Sequence, residues 1–208
     1  MSMFRDRTEA GKLLARALEA YRTSAVVLAL PRGGVVLGYE VAHALGVPLD
    51  IVVSRKIGHP LHPEYAIGVV DERGERILNE LEAAGVDQDW LAEESKRQQE
   101  EAARRVKLYR GGRPPAVLAG KVVILVDDGI ATGLTMQLAV RSIRQQRPEK
   151  IVVAVPVAPS ESLQMLAQEG AEVVVLEPPE DFAGAVGAHY ERFEQVEDDE
   201  VIKLLQHS

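Results

Sequence analysis

The sequence predicts an α/β fold, with an open, mainly parallel, twisted sheet of about five strands and helices on both faces. Three observations lead to this prediction. Short aliphatic runs rich in β-branched residues, such as Val122–Val126, are typical of parallel strands covered on both faces. These runs alternate with amphipathic helical patterns, as they do in βαβ units. Glycine-containing turns follow several of the strands and lead directly into helices.

Length and composition narrow the class of protein. The 208 residues, 46% of them hydrophobic, suit a single domain over residues 1–208, with its core at 24–176 and a small hood from 177–208. A net charge of −8 argues against nucleic-acid binding through a general positive field. The absence of cysteine excludes disulfides and thiolate chemistry. Apolar runs are too short to cross a membrane, so we expect a soluble, cytoplasmic protein that binds no membrane.

The first half of the chain supplies the outer parts of the predicted sheet. Asp6 or Thr8 can cap a helix that runs to about Tyr21. Residues 57–64 are rich in glycine, proline and histidine, which favours a loop, and His59 and His62 lack a third ligand that would indicate a metal site. The other predicted elements are a strand at 24–30, a helix at 35–45, a strand at 49–54, a hairpin joining 66–70 to 76–78, and a charged surface helix at 87–109.

The second half supplies the centre of the sheet and its far edge. Its strands are short apolar runs, and its helices begin after turns of small or polar residues. The final helix starts in an acidic stretch, which suits the positive end of a helix dipole. The predicted elements are a strand at 122–126, a helix at 136–146, a strand at 151–156, a helix at 163–168, a strand at 172–176 and a helix at 197–205.

The stretch 121–136, KVVILVDDGIATGLTM, has the composition of a sugar-phosphate site. Asp127 and Asp128 follow the central strand, where open α/β sheets place their ligand crevice. Carboxylates are good acceptors for vicinal hydroxyls and second-shell partners for a metal. The turn before the next helix can cradle a phosphate with amides at the positive helix end. The residues of this turn are Gly129, Ile130, Ala131, Thr132, Gly133, Leu134 and Thr135.

Other interpretations of this stretch compete with the sugar-phosphate site. The acid pair and glycine can simply end a strand, and Thr132 can simply cap a helix. The glycine spacing fits neither a Walker loop nor a dinucleotide fingerprint. A phosphatase with Asp127 as its nucleophile lacks the DxD spacing of such enzymes. If a sugar phosphate binds here, the acid pair and the threonine-lined turn should open on a common hollow.

Two further groups of residues place cations after strands. Arg32, Gly33 and Gly34 belong to a PRGG turn, where the glycines let the backbone approach an anion and the guanidinium can grip phosphate oxygens. Arg55 and Lys56 close the strand at 49–54, where adjacent cations are costly unless they face solvent or an anion. The alternatives are an ordinary β-to-α turn and a solvated strand end.

The string VVILVDDGIATGLT resembles the ribose-phosphate motif of type I phosphoribosyltransferases, and the order of PRGG, RK and DDGIATGLT strengthens the resemblance. It implies that Asp127 and Asp128 hold the ribose hydroxyls of phosphoribosyl pyrophosphate (PRPP) and that residues 131–135 wrap its 5′-phosphate. It also implies that PRGG and the Arg-Lys pair bind pyrophosphate. Magnesium would be bound mainly through PRPP, with no protein ligands assigned.

The implied reaction is transfer of the phosphoribosyl group to a nucleobase-like acceptor with release of pyrophosphate, within nucleotide and nucleoside metabolism. In this family a loop closes over the reacting centre, a role that residues 57–64 can fill. A hood covers the acceptor, and Phe182 or Tyr190 can stack on it or serve in ordinary packing. Ala131 stands where hypoxanthine-guanine transferases carry aspartate, so the acceptor stays open, as does the question of a homo-oligomer. The alternative function is a regulatory protein that senses PRPP without turning it over.

Overall fold

The computed structural model describes residues 4–22, 24–177 and 179–207, so Pro178 and Ser208 of the predicted hood lie outside the described residues. Its main sheet has five parallel strands, in agreement with the prediction, in the order β2-β1-β6-β7-β8. Because β1 and β6 are adjacent, the turn that follows β1 lies beside the acid pair that follows β6. The strands are β1 (Ala25–Ala29), β2 (Leu49–Ile51), β6 (Val122–Val126), β7 (Lys150–Val155) and β8 (Glu172–Val175).

A second, antiparallel sheet of three strands contains β3 (Ser54–His59), β4 (His62–Asp71) and β5 (Arg76–Leu78). The predicted hairpin between β4 and β5 is confirmed, but the prediction of a loop at 57–64 is wrong. Most of that segment pairs as a hairpin between β3 and β4. Glycine and proline suggested a loop, but here they occupy irregular positions of the strand pairing. A Cβ on Gly58 would collide with the Pro63 carbonyl, so glycine is needed at this point of the hairpin.

The position predicted for Arg55 and Lys56 is also wrong. The main-sheet strand β2 ends at Ile51, and both cations lie inside β3 of the second sheet. Val52 and Val53, which join β2 to β3, are apolar and buried although they belong to neither strand. The apolar run in the sequence therefore made the predicted strand three residues too long.

Seven α-helices occur in the described ranges, and they cover both faces of the main sheet as predicted. One apolar core joins β1 and β6 to α1, α2 and α7, and the other joins the opposite faces of those strands to α5 and α6. The helices are α1 (Arg7–Ala17), α2 (Gly33–Leu45), α3 (Glu80–Ala84), α4 (Gln88–Arg110), α5 (Leu134–Arg144), α6 (Ser160–Gln168) and α7 (Asp198–Gln206). None of these helices is both long and apolar enough to cross a bilayer.

The start of the described chain, residues 4–5, pairs with residues 189–192 of the C-terminal region near the carboxyl edge of the sheet, and these two segments are called the chain ends. The amide of Phe4 donates to the carbonyl of His189 at 2.9 Å, and the amide of Glu191 donates to the carbonyl of Phe4 at 2.8 Å. The rings of Phe4 and Tyr190 contact each other with centroids 5.6 Å apart. This pairing brings the start of α1 and the segment before α7 to the acid pair.

Candidate functional site

The PRGG turn packs directly against the acid pair. Leu30 N donates to Val126 O at 3.0 Å, so the chain leaves β1 beside the end of β6. A Cβ on Gly33 would collide with the Asp128 carboxylate, and a Cβ on Gly34 would lie 2.8 Å from Val126 O. Both glycines are therefore required by a close backbone approach. The carboxylates that they approach belong to the protein itself. The Pro31–Arg32 peptide bond is cis.

Asp127 and Asp128 occupy different surroundings although both are partly buried. Asp127 Oδ1 accepts the backbone N–H of Asp128 at 2.8 Å. Asp128 Oδ2 accepts Arg7 Nε, also at 2.8 Å. Burial, and next the negative charge of Asp128, raise the pKa of Asp127 well above its usual range. The pair therefore divides into a carboxyl group that favours its proton and an ion-paired carboxylate.

Arg7 is a residue of this region that the sequence analysis missed. Its Nη1 donates to the carbonyl of Glu194 at 2.7 Å, and its Cζ lies 3.8 Å from the ring centroid of Phe193. Its side chain is only 12% exposed. No motif surrounds Arg7, which opens an ordinary amphipathic helix. Only the pairing of the chain ends places this guanidinium on Asp128.

Aromatic side chains of the predicted hood pack near the acid pair, and Tyr190 contacts it directly. The hydroxyl of Tyr190 donates to the backbone carbonyl of Asp128 at 2.7 Å, and burial raises the pKa of this tyrosine. Tyr190 is 5% exposed, and its ring contacts Phe193. Phe182 stacks on His189 with centroids 5.5 Å apart. These contacts favour the packing role for both candidates that the sequence offered for the acceptor.

The predicted phosphate turn leads into the start of a helix, and part of the turn is exposed. Gly133 has φ 79° and precedes α5, whose start has no side-chain hydrogen-bond cap. Ala131 and Thr132 are exposed. The inner side of the turn is filled, because Ile130 is buried and Val186 would lie 2.5 Å from a Cβ on Gly129. An anion can therefore reach this turn only from its outer side.

A cavity with a volume of about 840 Å³ opens beside the second sheet. It lies between the β3–β4 hairpin and α4 and reaches the PRGG turn and the start of α5. Its lining includes Pro31, Arg55, Lys56, Glu64, Trp90 and Thr135. Asp127 and Asp128 are not in this lining, so the expectation that they share a hollow with the threonine-lined turn is wrong for this cavity. The reason is physical: Arg7 and the PRGG turn cover them.

The three predicted cations separate into two groups. Arg55 and Lys56 line the cavity, and Arg55 Nε donates to Gln98 Oε1 at 3.2 Å. Arg32 instead points to the start of α7, where its Nη1 lies 3.3 Å from Glu197 Oε2 and 3.8 Å from Asp198 Oδ1. The structure thus gathers the hairpin cations and Thr135 around one space and directs Arg32 away from it.

Residues 4–22, 24–177 and 179–207 contain no group of three or more acidic or histidine side chains placed to hold a metal ion. His59 and His62 stack on each other, with the His59 ring nitrogen accepting the amide of Leu61. The carboxylates of the acid pair are the hard oxygen donors that magnesium prefers. An ion here would need additional oxygens from a substrate.

Comparison with known proteins identifies the family. A family model described as phosphoribosyl transferase domain matches residues 6–191. The chain belongs to this family. Two Mycobacterium tuberculosis proteins, from strains CDC 1551 / Oshkosh and H37Rv, carry the description "Putative phosphoribosyl transferase" and are 42% identical over 208 residues. The match covers 99% of this chain and 47% of each relative, so the chain spans about half the length of those proteins.

Solved structures agree with this membership. The protein TT1426 from Thermus thermophilus is 47% identical, with a TM-score of 0.82 over 100% of this chain and 99% of that one. A Neisseria gonorrhoeae protein solved with bound ppGpp shares the fold at 15% identity, with a TM-score of 0.51 over 99% and 96% of the two chains. The predicted resemblance to type I phosphoribosyltransferases and the predicted fold class are confirmed.

Proposed function

We propose that this phosphoribosyltransferase-family protein transfers the 5-phosphoribosyl group of PRPP to a nucleobase-like acceptor and releases pyrophosphate. One observation carries the proposal. Thr135 at the start of α5 and the cations Arg55 and Lys56 line a single cavity at the carboxyl edge of the sheet. A ligand with a phosphate at one end and a diphosphate at the other would satisfy both groups.

The chain's own groups have separable roles in this proposal. The amides and hydroxyls of residues 131–135 would hold the 5′-phosphate at the positive end of α5. Asp128 would accept a ribose hydroxyl on Oδ1, since Arg7 occupies Oδ2. Asp127, whose pKa is raised, would share a hydrogen bond with a ribose hydroxyl. For the acid pair to meet the sugar, the covering PRGG turn or the chain ends must move aside.

The bond changes are simple. The bond from ribose C1 to the pyrophosphate oxygen breaks, and its electron pair leaves with pyrophosphate. An acceptor nitrogen forms the new bond to C1, and the proton that it gives up is taken by the departing pyrophosphate. Arg55 and Lys56 would stabilise the charge that develops on the leaving group. Magnesium, bound mainly through PRPP oxygens, would supply further charge neutralisation. The β3–β4 hairpin forms a wall of the cavity and would help to exclude water from the cationic sugar.

A second candidate function is PRPP binding without turnover. The observation that favours it is the covering of the acid pair, where Arg7 pairs with Asp128 and Val186 lies against Gly129. A regulatory protein needs to bind the phosphates but does not need an accessible acceptor site beside the ribose. Tight binding could then occur on the outer side of the turn.

Pyrophosphate release separates the two candidates. The protein would be incubated with PRPP, magnesium and each member of a panel of purine and pyrimidine bases, and pyrophosphate would be assayed by coupled phosphate detection. The enzyme proposal predicts release that depends on one base and on magnesium. Saturable PRPP binding without release from any base would contradict the enzyme and support the sensor. An Asp128→Asn variant controls for contaminating activity.

A further inference from the structure

Helix α4 forms the wall of the cavity opposite the hairpin. Trp90, Glu94, Gln98 and Arg105 line the cavity from this helix, at spacings of four, four and seven residues. These spacings place them in one stripe along a helix face. The sequence predicted a solvated surface helix here, since most of its residues are charged. The stripe shows that one of its polar faces instead borders the cavity.

Side chains of both signs line this space, and their pairing is uneven. The acidic ones are Glu64, Glu93 and Glu94, and the basic ones are Arg55, Lys56, Arg97 and Arg105. Arg105 Nε lies 2.9 Å from Glu101 Oε1, and Arg97 lies 2.7 Å from Glu94 Oε2. Arg55 has no carboxylate within 4.0 Å among the described residues and donates only to the neutral side chain of Gln98. Loss of solvent, and next the positive charge of Arg105, lower the pKa of Arg55. Glu101, which pairs with Arg105, opposes part of this effect. An anion that contacts both guanidiniums would stabilise them further.

We infer that Arg55, Gln98 and Arg105 form one anion-binding surface, in which α4 and the hairpin hold the same diphosphate group from two sides. The inference rests on the proposed function, because the diphosphate is that of PRPP and of the released pyrophosphate. A diphosphate offers enough oxygens to accept from both guanidiniums and from the Gln98 amide. It converts the repulsion between Arg55 and Arg105 into attraction to a shared ligand. Arg105 is thereby a ligand-binding residue of the site.

Neighbouring arginines of α4 provide a matched pair of variants. Arg104 and Arg105 both pair with Glu101, at 2.7 and 2.9 Å. Arg105 lines the cavity, whereas the Arg104 side chain is 60% exposed and is not in the lining. Arg105→Gln and Arg104→Gln therefore each remove one positive charge from α4 and one ion pair with Glu101. Only the first variant should affect a ligand in the cavity.

The experiment measures inorganic pyrophosphate and ribose 5-phosphate binding by titration calorimetry, with magnesium, for the wild type and both variants. Arg105→Gln should weaken pyrophosphate binding by about tenfold or more, the effect expected for a lost charge-assisted hydrogen bond. Ribose 5-phosphate should bind each protein equally well. Arg104→Gln should change pyrophosphate affinity by less than about twofold, as for an exposed charge. Gln98→Leu should weaken pyrophosphate binding as well, and it tests the surface independently if Arg105→Gln unfolds.

The outcomes are distinguishable. If the wild type binds pyrophosphate and both arginine variants bind it equally, α4 is not part of the anion surface, while the proposed function stands. If Arg105→Gln selectively weakens pyrophosphate binding but the wild type binds neither PRPP nor ribose 5-phosphate, the anion surface stands and the proposed function fails. Absence of pyrophosphate binding by the folded wild type would overturn the inference. Equal loss of both ligands in Arg105→Gln would show a general structural role and would also overturn it.

Discussion

Asp127 and Asp128 are adjacent residues in different surroundings. Asp128 is held by the Arg7 guanidinium at 2.8 Å, whereas Asp127 accepts a backbone amide hydrogen bond and has a raised pKa. A ribose diol both donates and accepts hydrogen bonds, so two carboxyl groups in such different surroundings are complementary to it. The two aspartates should therefore respond differently to the same substitution.

Asp128→Asn should weaken PRPP binding by about tenfold while the fold is retained, because the change keeps the side-chain shape but removes the charge that accepts a sugar hydroxyl. Isothermal titration with magnesium and PRPP measures the affinity, and thermal unfolding checks the fold. The exposed Asp89→Asn variant serves as a control for the loss of one negative charge. Unchanged PRPP affinity in Asp128→Asn would remove this residue from the binding site.

Asp127→Asn should change how stability depends on pH. The pKa of Asp127 in the folded protein lies above its ordinary 3.8, so folding favours the protonated form. The wild-type free energy of unfolding should accordingly fall as pH rises through and above 3.8 toward the folded pKa. Asparagine imitates the protonated group at every pH, so the variant should gain stability relative to wild type as pH rises. Urea unfolding between about pH 4 and 8 measures this difference, and a constant difference would contradict the raised pKa.

Arg7→Gln should lower both stability and PRPP affinity, because in the proposed complex Arg7 stays on Oδ2 of Asp128 and leaves Oδ1 to the sugar. The substitution removes a partly buried ion pair and leaves Asp128 less firmly held, at a cost of about 2 kcal/mol. Urea unfolding and PRPP titration measure the two effects. Arg192→Gln is the matched control, because Arg192 also joins the chain ends, through Asp6 at 2.6 Å, yet it is 57% exposed and pairs with Asp6 rather than Asp128. Equal PRPP affinities in the two variants would show that Arg7 acts only in packing.

At the scale of elements, the sequence predicted strands and helices well where the pattern is local. The five main-sheet strands, the two glycine turns and the long charged helix all follow from apolar runs, glycine placement and helix propensity. It failed at 57–64, where glycine and proline suggested a loop but strand pairing produced β3 and β4. It also failed to predict that α4 borders a cavity. Both failures concern tertiary contacts that no local pattern encodes.

The start of α4 offers a prediction at this scale. Asp87 Oδ1 accepts the amide of Trp90 at 2.8 Å and caps the helix, while the neighbouring Asp89 lies in the first turn. Asp87→Ala should lower the free energy of unfolding by about 1 kcal/mol. Asp89→Ala should cost only a few tenths of a kcal/mol, since it loses a helix-dipole interaction alone. Urea denaturation measures both, and equal losses would show that the cap does not stabilise α4.

At the scale of the whole molecule, the fold brings distant segments to one edge. The chain ends, the PRGG turn, the acid pair and the phosphate turn meet where the parallel strands finish. The sequence predicted this position for the PRGG turn, the acid pair and the phosphate turn, because ligand crevices occupy that edge in open α/β sheets. It could not place Arg7 or α4, since no motif encodes the strand order or the pairing of the chain ends.

The central claim is that a sugar phosphate binds at the end of β6, with its phosphate on the turn that begins α5. The most direct test is titration of the isotope-labelled protein with ribose 5-phosphate and magnesium, followed by backbone amide chemical shifts. We expect the largest saturable shifts at the amides of residues 131–135, with smaller shifts at Asp127 and Asp128. The account would be contradicted if ribose 5-phosphate binding saturates while the chemical shifts of those amides stay constant and all changes occur on another surface.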